Sequence, residues 1–123
     1  MAWLHSVYFL DQSHGWVAGS NGTLLETTDG GANWNKVVTP TKDVLRDVWF
    51  VDDHVGWLVA ERDVYKLKTN DEALSYLLRT DDGGLTWRSV SLNGFDTNAR
   101  LVRVMFADAA NGWVFGETGV IFV

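Results

Sequence analysis

At 123 residues the chain is long enough for one domain with a real core, and a hydrophobic content of 46% excludes a disordered protein. Ten basic against sixteen acidic residues leave a net charge of −6, which argues against nucleic acid as a partner, since backbone binding needs a basic face to displace counterions. Without cysteine there is no disulfide framework and no thiolate site, and no apolar run approaches the roughly 18 to 20 residues of a membrane span. No membrane insertion is expected. The N-terminus has no basic region followed by an apolar one, so the default expectation is a cytoplasmic protein, or a periplasmic or lumenal one if the chain is a fragment of an exported protein.

In chain order, Leu4-x-x-Val7-x-Phe9 spaces its apolar residues as a strand does, Asp11 opens a polar turn, and Gly15-Trp16-Val17-Ala18-Gly19 starts a second strand. Asn21-Gly22 is a turn, Thr23 to Glu26 a third strand, and Asn35 to Val38 a fourth. The pattern restarts at Leu45-x-x-Val48-x-Phe50, Asp52 and Gly56-Trp57-Leu58-Val59-Ala60, so that Gly15 to Gly56 sets a period of 41 residues. A third copy reads Leu101-x-x-Val104-x-Phe106, Asp108 and Gly112-Trp113-Val114-Phe115-Gly116. It goes on to a strand from Val120 to Val123, and Phe to Gly is six residues every time.

Four short strands repeated at a period near 40 predict an all-β fold of β-propeller blades, each a sheet of four antiparallel strands. The alternative is a meandering sandwich. The units run over about 3–43, 44–100 and 101–123 within a single propeller-type domain at 1–123, giving two full blades and an incomplete, three-stranded third. Blades left open at both ends expose apolar surface, so the expectation is a homo-oligomer, a homodimer that completes a six-bladed ring.

Between the third and fourth strands lies Thr27-Thr28-Asp29-Gly30-Gly31-Ala32-Asn33-Trp34, which returns as Thr80-Asp81-Asp82-Gly83-Gly84-Leu85-Thr86-Trp87. Asp-Gly-Gly suits a tight hairpin, because the glycines accept positive φ and the carboxylate accepts hydrogen bonds from turn amides. The octet resembles the Asp-box, or BNR repeat, Ser/Thr-x-Asp-x-Gly-x-Thr-Trp. The second copy matches fully, and the first departs only at Asn33. Thr27, Asp29, Gly31 and Trp34, with Thr80, Asp82, Gly84, Thr86 and Trp87, are therefore read as structural. A catalytic or calcium-binding reading of Asp29 and Asp82 is disfavoured, since calcium loops need several more oxygen ligands at fixed spacing.

Of the seven tryptophans, Trp34 and Trp87 are expected over their own hairpins, while Trp16, Trp57 and Trp113 fill one repeated inter-blade pocket. Trp49 shares its position with Tyr8 and Met105 on the innermost strand, where burial on both faces is expected; Trp3 is left to seal an edge. His5, His14 and His54 are scattered, and no metal and no cofactor are expected. No phosphate loop or nucleophile elbow is present, nor the clustered arginines with a Tyr and Glu pair of a sialidase, so no catalytic residue is assigned.

Two insertions interrupt the repeat. Fourteen residues, 61–74, replace Ser20-Asn21 between the second and third strands of the second unit, and the link 91–100 is three residues longer than its counterpart. Both fall on the face opposite the Asp-box turns. Arg62, Tyr65, Lys66 and Lys68, with Asn93, Phe95 and Arg100, are the candidate residues for binding an acidic peptide or loop of a protein partner.

Taken whole, Leu-x-x-Val-x-Phe, an Asp, Gly-Trp-x-x-Gly, an apolar strand and Thr-x-Asp-Gly-Gly-x-x-Trp resemble the photosystem II assembly and stability factor family. The resemblance implies a propeller acting as an assembly scaffold through protein contacts, not an enzyme. The alternative is a fragment or relative of a glycan-binding or glycan-hydrolysing, sialidase-like Asp-box protein.

Overall fold

The computed structural model describes residues 3–62, 74–90, 101–116 and, as backbone, 119–122. Eleven strands are found among them: β1 (Leu4–Phe9), β2 (Gly15–Gly19), β3 (Leu24–Thr27), β4 (Asn35–Lys36), β5 (Val44–Phe50), β6 (Gly56–Glu61), β7 (Ser75–Thr80), β8 (Arg88–Val90), β9 (Leu101–Phe106), β10 (Gly112–Gly116) and β11 (Gly119–Phe122). They pair antiparallel in chain order into two four-stranded sheets, β1-β2-β3-β4 and β5-β6-β7-β8, and a three-stranded one, β9-β10-β11. These are blades. The fourth strand of the first is shorter than the 35–38 expected, because the chain turns away towards Pro40 and leaves Val38 exposed.

The Leu-x-x-Val spacing of the first strands breaks the two-residue alternation of a strand, yet Leu45 and Val48 are both buried on one face. A register shift between Leu45 and Asp47 supplies the extra residue and restores the alternation, and equivalent shifts occur in the other two blades.

Two cores lie between the sheets. Trp16, Ala18 and Leu24 of the first blade pack on Leu45, Val48, Phe50, Leu58, Ala60 and Leu78 of the second. In the same way Trp57, Val59 and Leu77 of the second pack on Leu101, Val104, Phe106 and Val114 of the third. Each junction centres on a flat aromatic pair: Trp16 on Phe50 at 3.7 Å and 6°, Trp57 on Phe106 at 3.5 Å and 4°. The phenylalanine lies in turn against the glycine opposite it in its own sheet. A Cβ on Gly56 would come within 2.5 Å of the Phe50 ring, and one on Gly112 within 2.4 Å of Phe106. The constant Phe-to-Gly spacing thus builds a layer of Gly, Phe and the preceding blade's Trp.

Hydrogen bonds also cross the junctions. The Tyr8 hydroxyl donates to the Phe50 carbonyl at 2.8 Å, and Trp49 Nε1 to the Phe106 carbonyl at 3.0 Å. Asp47 accepts from Ser6 Oγ at 2.7 Å on one side and from Val104 N at 2.9 Å on the other. Trp49 is not buried on both faces. With Tyr8, Asp47, Arg103 and Met105 it lines a cavity of about 170 Å³, because the innermost strands converge on an open axis.

On the Asp-box side, His14 Nε2 lies 2.5 Å from Glu26 and Nδ1 lies 3.1 Å from Asp53 of the next blade, with its ring against Trp16. Partial burial works against the charged imidazole, but the hydrogen bonds and charges of Glu26 and Asp53 outweigh it and leave the His14 pKa above its ordinary 6.5. Arg79, at the equivalent of the Glu26 position, spans the second junction by donating to the Ala109 carbonyl at 2.7 Å.

Candidate partner-binding face

The two ends of the blades differ in chemistry. At one end stand the Asp-boxes. Gly30 and Gly31 hold φ of 74° and 98°, as do Gly83 and Gly84, conformations that side chains with a Cβ strain to adopt. Asp29 Oδ1 accepts from Asn33 N at 2.9 Å and Oδ2 from Asn33 Nδ2 at 2.8 Å, while Thr27 Oγ1 donates to Asp29 and accepts from Gly31 N. Asp82 has the same partners in Thr80 and Thr86, the Thr86 hydroxyl standing where the Asn33 amide stands. These bonds, led by those from the Asn33 and Thr86 side chains, hold both carboxyls down at about 2. Trp34 and Trp87 lie over Gly31 and Gly84 of their own turns. Their oxygens being committed to turn donors, the two aspartates have little left for chemistry.

The opposite end carries the β2–β3 turn, the link between the first two blades and the base of the long insertion. The turn and link are tied together: Gly22 N donates to the Asp43 carbonyl at 2.8 Å and Thr39 Oγ1 to the Gly22 carbonyl at 2.8 Å. Between them a groove of about 300 Å³ is lined by Asn21, Lys36, Val37, Pro40, Thr41 and Lys42. The groove reaches the insertion through Thr41. Tyr76, at the start of the strand after the insertion, exchanges a hydrogen bond with the Thr41 hydroxyl at 2.9 Å and donates to Asp43 Oδ2 at 2.5 Å. Burial, and then the bond to Asp43, push its phenol up to about 12, so it stays a neutral donor. Over its ring, 4.3 Å from the centroid, lies the Arg62 guanidinium.

Of the residues expected to bind a partner, Arg62 takes this place above Tyr76. Tyr65, Lys66, Lys68, Asn93, Phe95 and Arg100 lie outside the described residues. Glu61, read as the first insertion residue, instead ends β6, opposite Ser75, nearly buried and 2.9 Å from Arg46. Sequence reading passed over Lys36, Lys42, Thr41, Asp43 and Tyr76. The available signal was the first inter-blade link itself, whose topology puts it at the same end as the insertion.

A family model for the photosynthesis system II assembly factor YCF48 matches residues 2–39 and 32–123, nearly the whole chain. The chain belongs to the YCF48 family. Among YCF48 relatives, the photosystem II assembly lipoprotein of Synechococcus sp. (strain CC9902) is 30% identical over 90 residues, covering 71% of this chain and 23% of the relative. The photosystem II assembly protein Ycf48 of Synechococcus sp. (strain JA-2-3B'a(2-13)) is 33% identical over 79 residues, 62% of this chain and 20% of its own length. The chain thus spans about a quarter or less of these relatives. Two solved structures share the propeller fold. A YCF48 bound to a D1 peptide superposes with a TM-score of 0.74 at 24% identity, over 99% of this chain and 38% of that one. YCF48 from Cyanidioschyzon merolae gives 0.71 at 22%, over 98% and 34%. The relatives are named as assembly factors, not enzymes. One is named a lipoprotein, which does not support the cytoplasmic default. Among the described residues no helix is long and apolar enough to cross a membrane.

Proposed function

We propose that this chain is a non-enzymatic, protein-binding propeller module that serves photosystem II assembly as a scaffold, and that its three repeat units act as one domain. Membership of a family of assembly factors carries the reading. The binding surface we assign is the end bearing the insertion. Lys36 and Lys42 flank an apolar-floored groove, and Arg62 extends the basic surface next to it. Lysine and arginine heads around such a floor suit an extended acidic segment, or a chain end bearing a carboxylate. The D1 peptide of the YCF48 neighbour supports a peptide as the ligand class.

The glycan reading has less to stand on. Trp16 and Trp57 are each 1% exposed and committed to blade junctions, so neither offers a sugar-stacking platform. The test is fluorescence polarisation against overlapping labelled peptides tiling D1, with Lys36→Glu/Lys42→Glu and Arg62→Glu variants and a glycan array as control. We expect a bound peptide whose affinity falls at least tenfold in the charge-reversed groove, with no glycan signal. Unaltered peptide binding in both variants would refute the assigned face, and silence from every peptide would refute the partner class.

A further inference from the structure

Two apolar side chains stand in the open where the two four-stranded blades meet: Val38 is 82% exposed and Leu85 83%. The scaffold requires neither. In the first Asp-box the position of Leu85 is filled by Ala32, yet both turns close with the same glycine φ angles and the same amide bond to the carboxylate. Val38, four residues after Trp34, has Ser91 as its counterpart four residues after Trp87. Core positions such as Leu24 and Leu77 keep their apolar character from one repeat to the next; these two do not.

With Thr39, Pro40, Thr86 and Trp87 they line a groove of about 280 Å³ along the outer rim of this junction. Trp87 gives it a rigid floor, since its Nε1 donates to the Gly84 carbonyl at 3.1 Å and the ring packs, with Val37, on the core between the blades. The rim groove shares Val38, Thr39 and Pro40 with the groove flanked by Lys36 and Lys42, so the two lie on either side of one short length of link. Val38 makes no backbone hydrogen bond among the described residues, which leaves its amide and carbonyl open to a chain laid across it.

We infer that the rim groove is the second half of the peptide site, receiving a large apolar side chain of the same extended segment whose carboxylates sit at Lys36 and Lys42. The inference rests on the assignment of that end as the binding face, and adds the composition of the partner: an acidic pair with an apolar residue about three positions away. Grooves on opposite sides of one backbone lie roughly 10 Å apart, which an extended chain covers in about three residues. Charge selects this occupant. Neither lysine has a carboxylate partner among the described residues, in a chain of net charge −6, whereas Asp81 and Asp82 beside the rim groove disfavour an anionic lipid surface.

The experiment is fluorescence polarisation with two labelled, amidated peptides, Leu-Ser-Ser-Glu-Glu-Ser-Ser-Leu and the same peptide with serine for both leucines. They are titrated with the wild type, Lys36→Glu/Lys42→Glu, Leu85→Ser and Val38→Ser. Both apolar residues are exposed, so these variants should keep the wild-type circular dichroism spectrum. The wild type should bind the leucine peptide about tenfold tighter, the worth of burying one leucine. Leu85→Ser and Val38→Ser should erase that preference without weakening the serine peptide, and the lysine reversal should weaken both peptides. Equal wild-type affinity for the two, still lost on lysine reversal, would overturn the inference and leave the binding face standing. A leucine preference that survives both rim variants would overturn it too. Peptides indifferent to the lysine reversal would overturn the face as well as the inference. Binding of neither peptide would overturn the inference, and the peptides tiling D1 then judge the face separately. Wild-type self-association in light scattering, or flotation with phosphatidylcholine vesicles, that Leu85→Ser abolishes would give the groove to a second copy or to a lipid surface and overturn it.

Discussion

Phe50→Ala is the most informative single change, because this ring is sandwiched between its own Gly56 and the preceding blade's Trp16. Phe50 is 0% exposed and lies within the core that joins the first two blades. Truncating a buried phenylalanine costs about 3–5 kcal/mol, from lost transfer energy and the cavity left behind. The flat contact with Trp16 should appear as about 0.5–1.5 kcal/mol of coupling in a double-mutant cycle of Phe50→Leu with Trp16→Leu. Against a typical total of about 5–15 kcal/mol, Phe50→Ala removes a large share of the stability. The assay is urea unfolding followed by circular dichroism at one fixed protein concentration, since association would otherwise shift the midpoint. A cost below about 1 kcal/mol, or a cycle coupling indistinguishable from zero, would refute the claim that the Gly, Phe and Trp layer holds the blades together.

Gly56→Ala should destabilise by about 1–3 kcal/mol in the same assay, because its Cβ would displace the Phe50 ring by overpacking. The Asp-box carboxyls, held at about 2 against an ordinary 3.8, contribute stability that is present above about pH 4 and lost as pH falls towards 2. Asp29→Asn/Asp82→Asn should therefore flatten acid denaturation curves over that window. His14 behaves oppositely: its raised pKa gives a contribution fully present below pH 6.5 and lost as pH climbs through the folded value. His14→Gln should then cost more stability at pH 5.5 than at pH 9, measured by thermal unfolding at both. Tyr76→Phe removes the bond to Asp43 at the insertion base and should cost about 1–2 kcal/mol, with weakened peptide binding as the functional readout.

Much of the architecture was legible because it is local and repeated. The Asp-Gly-Gly turns announce themselves through positive φ and a carboxylate within reach of the next amides, and a period of 41 residues could only be met by one strand set copied along the chain. The candidate site was legible only in part. Its insertion and the position of Arg62 follow from the break in the repeat, whereas the groove of Lys36, Pro40 and Lys42 arises where a turn and a link meet in space. Glu61 was misplaced because sequence length marks where an insertion begins but not how far the ladder continues before the chain leaves it.

The sequence by itself determined what each unit is: strand, turn, strand, with a glycine six residues after a phenylalanine. Only the tertiary structure decided what that spacing is for. Trp16 and Trp57, each following such a glycine, cover the phenylalanine of the next blade, and His14 meets an aspartate 39 residues away. Both outcomes depend on the angle at which rigid sheets stack. That angle is set by the whole buried face at once, and no local stretch of residues encodes it.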